Sequence, residues 1–226
     1  METVFDFSFE YLFGNEFPKE QNFLIIEDIN AKGEFLLLEL IKAFRKIDFN
    51  TVLVLLDFIP SSILEELVVR ESENLSIVNT YSTCYSKYYT TTKLHELNLT
   101  LKSIRKELQN EKKLAIFVWS LNPLFIYYSS NDVINFYLEN VKHAIENKTI
   151  EFYLVGKNLI ENQEMRRLIA LAHCVMEMEK NNSLDDCWNI HYLKAMGLNL
   201  PKTDIIYKYE VGTPIWDSKI LFIDHL

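Results

Sequence analysis

The fold class of this chain follows from one stretch, Phe23-Leu-Ile-Ile-Glu-Asp-Ile-Asn-Ala-Lys-Gly-Glu-Phe-Leu-Leu-Leu-Glu-Leu-Ile-Lys-Ala-Phe44. The apolar run at its start, residues 23–26, predicts a buried strand, and residues 36–44 predict a helix with a dense apolar face. The loop between them has the length of a phosphate-binding loop, which also joins a strand to a helix. The stretch therefore predicts an α/β domain.

The residues of this loop do not suit phosphate. A phosphate-binding loop of this type has glycine at its first and sixth positions, followed by lysine and then by serine or threonine. In this chain those four positions hold Glu27, Lys32, Gly33 and Glu34. Two carboxylates would repel an anion, and each like-charge contact costs on the order of 4 kcal/mol at an effective dielectric constant near 20. We expect Glu34 to replace the phosphate as the counter-charge of the helix N-terminus.

Strand-like and helix-like segments alternate along the chain. Predicted strands lie at 51–56, 75–78, 114–119, 150–155, 174–178, 188–194, 205–211 and 219–223, and predicted helices at about 60–69, 93–110, 132–146 and 164–172. Continuously apolar strands that alternate with helices predict a mainly parallel central sheet covered by helices on both faces. The run of short strands after residue 174 predicts an antiparallel C-terminal extension of that sheet.

Composition predicts one domain, spanning residues 1–226. Apolar residues make up 49% of the 226-residue chain, including 15 Phe and 12 Tyr, which is enough for a large core. The 5 Gly and 5 Pro form no linker. The formal net charge of −9 argues against a general binder of nucleic-acid backbones, because such binding requires Lys and Arg to neutralise phosphates.

Several features predict an intracellular protein. Cys84, Cys174 and Cys187 are odd in number and lack CxxC spacing, which argues against a disulfide framework and favours a reducing compartment. The N-terminus is acidic and does not resemble a secretory signal. No apolar run reaches the roughly 18 residues that span a bilayer, so we expect a cytoplasmic protein with no membrane partner.

With this order of elements, the chain resembles the RecA-like ATPases, and among them the KaiC-like branch. The loop at 27–34 stands where that family has its Walker A motif. The segment Ala115-Ile-Phe-Val-Trp-Ser-Leu-Asn-Pro-Leu124 is similar to the family's apolar strand followed by Asp-Ser-Leu and a later leucine. Ser120, Leu121 and Leu124 fit this pattern, but Trp119 stands in place of the Walker B aspartate.

A third similarity lies near the end of the chain. The segment Tyr192-Leu-Lys-Ala-Met-Gly197 is similar to the family's Leu-Lys-Met-Arg-Gly strand end, with Lys194 and Gly197 matching and Met196 in place of the arginine. The resemblance covers residues from about 20 to 223 and implies a RecA-like three-layer sandwich. It further implies that the three segments are parts of one degenerate ATP site. The site residues from the first two segments are Glu27, Asp28, Lys32, Gly33, Glu34, Trp119 and Ser120.

The resemblance favours a non-catalytic scaffold or regulatory subunit that needs no cofactor. A chain lacking both the hydroxyl and the carboxylate that hold Mg²⁺ has lost the groups that hydrolysis requires. RecA-like domains generally assemble side by side, so the implied partner is a second copy or an active RecA-like ATPase. The rival hypothesis is a residual nucleotide- or Mg²⁺-dependent enzyme, with Asp28, Lys32 and Asp57 in the crevice at the carboxyl ends of the strands.

A third hypothesis is an accessory nucleic-acid-binding protein. One loop places four tyrosines among hydroxyl residues, namely Tyr81, Tyr85, Tyr88 and Tyr89. The simplest interpretation is a packed loop with no special role. Among functional uses, the mixture favours a protein interface over a stacking platform for single-stranded nucleic acid. The densest basic segment, 102–113, carries Lys102, Arg105, Lys106, Lys112 and Lys113. Glu107 and Glu111 interrupt it, which predicts an ordinary solvated helix face.

Overall fold

The strands of this chain join a single mixed sheet in a computed structural model. The structure describes residues 2–14, 18, 20–56, 74–80, 88–89, 93–108, 112–198, 200, 204–213 and 215–225. Within these residues the sheet has 11 strands. They are β1 (Glu2–Asp6), β2 (Asn22–Glu27), β3 (Asn50–Leu55), β4 (Leu75–Asn79), β5 (Tyr88–Tyr89), β6 (Leu114–Val118), β7 (Ile150–Gly156), β8 (Cys174–Lys180), β9 (Trp188–Ala195), β10 (Asp204–Glu210) and β11 (Lys219–His225).

Helices cover both faces of this sheet. Those in the described part of the chain are α1 (Phe9–Phe13), α2 (Gly33–Lys46), α3 (Leu94–Leu108), α4 (Asn122–Tyr127), α5 (Ser130–Glu146) and α6 (Asn162–Leu171), with a short 3₁₀ turn at Ile215–Asp217. Alternate residues of β2 enter two separate apolar clusters. Phe23 and Ile25 pack with α2, whereas Leu24 and Ile26 share a cluster with residues of α3, α5 and α6.

The strand order is β1-β11-β10-β9-β8-β2-β7-β6-β3-β4-β5. The central strands from β8 to β5 are parallel, with β2 between β7 and β8. Strands β8 to β11 form an antiparallel meander, and β1 adds to its outer edge. The predicted fold class is confirmed: a mainly parallel sheet between helices, with an antiparallel C-terminal extension.

Helix α2 differs from its predicted extent. It begins at Gly33, three residues before the predicted start at residue 36, so the loop after β2 comprises only residues 28–32. Phe35, before the predicted start, is also buried in the core. The first turn is stabilised in addition by a polar contact with the end of β2, described below.

Four short elements were not predicted at all: β1, α1, α4 and the two-residue strand β5. Each has six residues or fewer, which is too short for a periodic pattern, so their stability comes from tertiary contacts. In α1, for example, the Phe9 ring lies edge-on to Phe44 of α2 with a centroid separation of 5.1 Å. The predicted helix at 60–69 lies outside the described residues.

Candidate functional site

The loop between β2 and α2 is closed by the chain's own carboxylate. Glu27 is the last residue of β2, and its Oε2 accepts a hydrogen bond from the N–H of Gly33 at 2.8 Å. Gly33 is the first residue of α2, where backbone N–H groups have no partner within the helix and normally attract an anion. The helix N-terminus is therefore occupied by a carboxylate of the same chain.

Glu27 therefore supplies the counter-charge at the start of α2 that was expected of Glu34. Glu27 lies on the face of the sheet that α2 covers, because it continues the alternation of Phe23 and Ile25. Its carboxylate is thereby directed at the start of the helix. Glu34 lies in the first helical turn, and its Oε1 is 3.6 Å from Lys32 Nζ.

The protonation of Glu27 is strongly perturbed. Burial raises the pKa of this carboxyl from 4.5 to about 7, and the nearby charge of Glu34 adds to the increase. The Gly33 hydrogen bond and Lys32 act in the opposite direction and are outweighed. Strongly perturbed pKa values cluster at functional sites, and structural ion-pair networks also produce them.

Two backbone positions make the Glu27 contact possible. Lys32 adopts a left-handed conformation with φ of 57°, which lets the chain turn sharply into α2. Gly33 has no room for a side chain, because a Cβ there would lie 2.4 Å from Leu154 Cδ1 and 2.8 Å from Glu27 Oε2. Gly33 thus serves close packing at the position where a phosphate-binding loop has its lysine.

We expect Gly33→Ala to destabilise the protein by roughly 1–3 kcal/mol, because the new methyl group displaces the Glu27 carboxylate or the buried Leu154. Urea unfolding at neutral pH measures this. Gly156→Ala is the matched control, since its closest contact would be the exposed, movable side chain of Leu159 at 2.9 Å. An effect no larger than that of the control would contradict the tight packing at Gly33.

Neighbouring strands hold the loop from two sides. The Tyr207 hydroxyl of β10 donates to the Ala31 carbonyl at 2.7 Å, and the Asp28 N–H donates to the Met178 carbonyl at the end of β8 at 2.8 Å. Tyr207 is fully buried, and this burial together with the charge of Glu27 raises its pKa well above the usual value. The tyrosine therefore stays a neutral donor that fixes the loop.

A cavity of about 360 Å³ lies beside this loop, between residues 27–34 and the segment 156–159. Asp28 is part of its wall, and its Oδ1 accepts from the Ile29 N–H at 2.8 Å and from Asn158 Nδ2 at 3.3 Å. Lys157, also in the wall, pairs with Glu177 at 2.5 Å. The polar groups here are engaged mainly with one another.

The second segment of the resemblance follows β6. The Trp119 side chain packs against the same core as Phe117 on the α2 face. The backbone N–H of Trp119 donates to the Val54 carbonyl at 2.9 Å. The Ser120 hydroxyl is buried and accepts from the N–H of Asn122 at 3.2 Å, at the start of α4. Both residues therefore have structural partners, and the aromatic ring of Trp119 offers no oxygen ligand for Mg²⁺.

The third segment lies at the other end of the sheet. β9 runs antiparallel to β8, so its end reaches the amino edge, where Gln21 Nε2 donates to the Met196 carbonyl at 2.7 Å. Gln21 is six residues before Glu27, which is roughly 20 Å along a strand. Within one chain, the Tyr192–Gly197 segment therefore lies at the opposite edge of the sheet from the loop after β2. Lys194 Nζ instead donates to the Ala170 carbonyl at 3.1 Å, near the end of α6.

Comparison with known proteins supports the fold assignment. No protein-family model and no curated protein matches the chain significantly. Solved structures do match. A KaiC-like protein from Pyrococcus horikoshii superposes with a TM-score of 0.70 at 13% identity, over 95% of this chain and 94% of that one. The chain has a RecA-like fold.

Two further structures show the same RecA-like architecture. The flagellar accessory protein FlaH from Methanocaldococcus jannaschii has a TM-score of 0.65 at 13% identity, over 87% of this chain and 88% of that one. An uncharacterised P. horikoshii protein in complex with an unknown peptide has a TM-score of 0.67 at 14% identity, over 92% and 93% of the two chains. At these identities the similarity concerns the fold and not an activity.

The tyrosine loop falls largely outside the described residues. Tyr81 and Tyr85 are among the residues not described, and Tyr88–Tyr89 is described only as the backbone of β5, parallel to β4. Asp57 of the proposed Mg²⁺ crevice is not described either. Across the described ranges, no group of three or more His, Cys, Asp or Glu side chains is placed to hold a metal ion.

The basic segment 102–113 is not a continuous surface in this chain. Arg105 is 1% exposed and forms a two-pronged ion pair with Glu151, with Nε to Oε1 at 2.9 Å and Nη2 to Oε2 at 3.0 Å. The Lys112 ammonium pairs with Asp48 at 2.6 Å. The interpretation of a solvated face holds for Lys102 and is wrong for Arg105. Among the residues that the structure describes, no helix is long and apolar enough to cross a membrane.

Proposed function

We propose that this RecA-like chain is a non-catalytic scaffold or regulatory subunit that acts in the cytoplasm through protein–protein contacts and does not hydrolyse ATP. One hydrogen bond supports this proposal most directly. The Glu27 carboxylate accepts the Gly33 N–H bond at the start of α2, the backbone group to which a phosphate-binding loop would offer its anion.

A nucleotide would have to displace this carboxylate. The exchange breaks a hydrogen bond to a charged group, worth about 1.5–3 kcal/mol, and brings the incoming phosphate close to Glu34. Lys32 is already paired with Glu34, and Trp119 brings no metal ligand. Each of these features weakens the case for a nucleotide enzyme.

The proposed partner is a protein. RecA-like domains assemble side by side, so a second copy or an active RecA-like ATPase is a natural candidate. A protein with the same fold has been solved with a bound peptide, which supports peptide binding as a use of this architecture. A mass measurement in solution, with and without candidate ATPases, tests for such assembly.

We expect no binding of ATP with Mg²⁺ below a Kd of about 100 μM by isothermal titration calorimetry, because Glu27 competes from within the chain. The control is Lys32→Ala, which should give the same flat titration. Tighter binding that disappears in Lys32→Ala would overturn the proposal. That outcome would favour the residual nucleotide-dependent enzyme that includes Asp28 and Lys32.

A further inference from the structure

The most exposed large apolar side chains of the described residues lie at one edge of the sheet. Five of them are about two-thirds exposed or more: Ile29 (74%), Ile126 (77%), Tyr127 (65%), Leu159 (70%) and Val211 (66%). We call these five residues the edge patch. Scattered apolar side chains are normal on a protein surface, but a group gathered on one side marks an interaction site.

Strand direction explains why these residues share an edge. Ile29 follows β2, Ile126 and Tyr127 lie in the helix after β6, and Leu159 follows β7. Strands β2, β6 and β7 are parallel, so their carboxyl ends meet at the same edge. Val211 follows β10, which is two antiparallel steps from β8 and therefore also runs in the direction of β2.

Contacts place three members of the edge patch, Ile29, Leu159 and Ile126, beside one another. Ile29 and Leu159 line the same 360 Å³ cavity. The side chains of Leu159 and Asn122 both approach within 3.2 Å of the point where Gly156 would carry a Cβ, so they are neighbours. Ile126 is one helical turn after Asn122 on the same side of α4, which extends the apolar surface away from the cavity.

The charges around this surface are predominantly negative. Asp28 and Glu34 line the cavity with Lys32 and Lys157. Glu27 also lines it, but its pKa of about 7 leaves it only partly charged at neutral pH. Lys32 pairs with Glu34 at 3.6 Å, and Lys157 pairs with Glu177 at 2.5 Å and Glu179 at 3.5 Å, so four carboxylates accompany two ammonium groups. A partner approaching this edge thus meets surplus carboxylates, and the chain as a whole carries a formal charge of −9.

We propose that the edge patch docks a segment of a different protein in which apolar side chains are flanked by lysine or arginine. The inference rests on the proposed function, since it names the chemistry of the protein partner. Apolar anchors on the segment cover the five exposed side chains, and its cations face the carboxylates around the cavity. Charge complementarity of this kind sets specificity and the rate of association.

The test uses two synthetic peptides of about 14 residues with the same helical leucine pattern, one filled with lysine and the other with glutamate. Fluorescence anisotropy measures their binding to the full chain at low salt. We expect the lysine peptide to bind at least about tenfold more tightly than the glutamate peptide. The difference should shrink in roughly 0.5 M salt, where the screening length is only a few ångströms.

Matched variants localise the binding. Ile29→Ser with Leu159→Ser, and separately Ile126→Ser with Tyr127→Ser, should each weaken the lysine peptide about tenfold or more. The control is Leu99→Ser with Leu193→Ser, which are 54% and 51% exposed and lie outside the edge patch. All of these side chains are exposed, so unchanged circular dichroism and thermal midpoints should accompany the substitutions.

Equal binding of the two peptides, or binding that neither edge variant weakens, would overturn the inference. Sedimentation equilibrium provides a separate test. Self-association that is lost in the edge variants would mean that a second copy occupies the patch; this contradicts the inference but agrees with the proposed function. ATP binding tighter than about 100 μM that is lost in Lys32→Ala would refute the proposed function itself, whatever the peptides do.

Discussion

Replacing Glu27 with glutamine is expected to raise the free energy of unfolding near pH 8 by about 3 kcal/mol and to change it little near pH 4. In the folded chain, burial and the charge of Glu34 raise the pKa of Glu27 from 4.5 to about 7. Between these values the folded protein binds a proton that the unfolded chain has released, so the wild type loses stability as the pH rises. Glutamine stays neutral, and its carbonyl oxygen can still accept the Gly33 N–H bond.

Urea unfolding from about pH 4 to pH 9 measures this difference. The wild-type protein should lose stability between pH 4.5 and 7 relative to Glu27→Gln, and the gap should stay constant above that range. Glu161→Gln, at an exposed position just before α6, is the matched control and should follow the wild type. Parallel curves for Glu27→Gln and the wild type would show that Glu27 has an ordinary pKa in the fold.

Replacing Glu151 with glutamine is expected to lower the free energy of unfolding by about 3–5 kcal/mol, a fall in thermal midpoint of roughly 10 °C. Glu151 is fully buried on β7, and its removal leaves the Arg105 guanidinium as an unpaired charge in the core. Arg105 Nη2 also donates to Asn140 Oδ1 at 2.7 Å, a bond that does not neutralise the charge. Burial lowers the pKa of Arg105 but Glu151 raises it, and the net shift is upward, so the arginine keeps its charge.

A double-mutant cycle separates this pair from general damage to the core. Adding Arg105→Met to Glu151→Gln should recover part of the lost stability, because the unpaired charge is then gone. Lys112→Met is the matched control. It breaks the surface pair with Asp48, whose side chain is 72% exposed, and should cost less than about 1 kcal/mol. A loss from Glu151→Gln as small as that of the control would contradict the buried pair.

The contact between Glu27 and Gly33 also affects anion binding at the start of α2. The helix N-terminus of α2 attracts negative charge, and in this chain the charge is supplied from one residue before the loop. A tethered carboxylate has no translational entropy to lose on binding, so it competes well with any free anion. Because its pKa lies near 7, the strength of this competition depends on pH within the physiological range.

Parts of this site could be predicted from the sequence. The departure of Glu27, Lys32 and Trp119 from the residue types of a nucleotide site is visible in the sequence alone. That these residues form a degenerate ATP site stays a prediction. The sequence could not show that Glu27, rather than Glu34, contacts Gly33. This contact depends on the face of β2 that Glu27 occupies and on the residue at which α2 begins. Tyr207 is more remote still: it reaches the loop only because the C-terminal meander folds back beside β2.

Arg105 and Glu151 illustrate the same limit. In the sequence Arg105 belongs to a basic run, and only its position on the inward face of α3 places it in the core. Glu151 did offer a signal, since a lone carboxylate in an otherwise apolar strand needs a buried partner. The identity of that partner required the packing of α3 and α5 on the sheet, because contacts between residues 105, 140 and 151 are non-local.

By itself the sequence determined the fold class, the order of the main strands and helices, and the departure of residues 27–34 and 119 from the Walker A and Walker B patterns. These follow from local periodicity and from composition, which need no partner elsewhere in the chain. Only the tertiary structure established that Glu27 occupies the start of α2, that the Tyr192–Gly197 segment lies at the far edge, and that five exposed apolar side chains share one edge. Such facts arise from strand direction and packing, which bring together residues that are far apart in the chain.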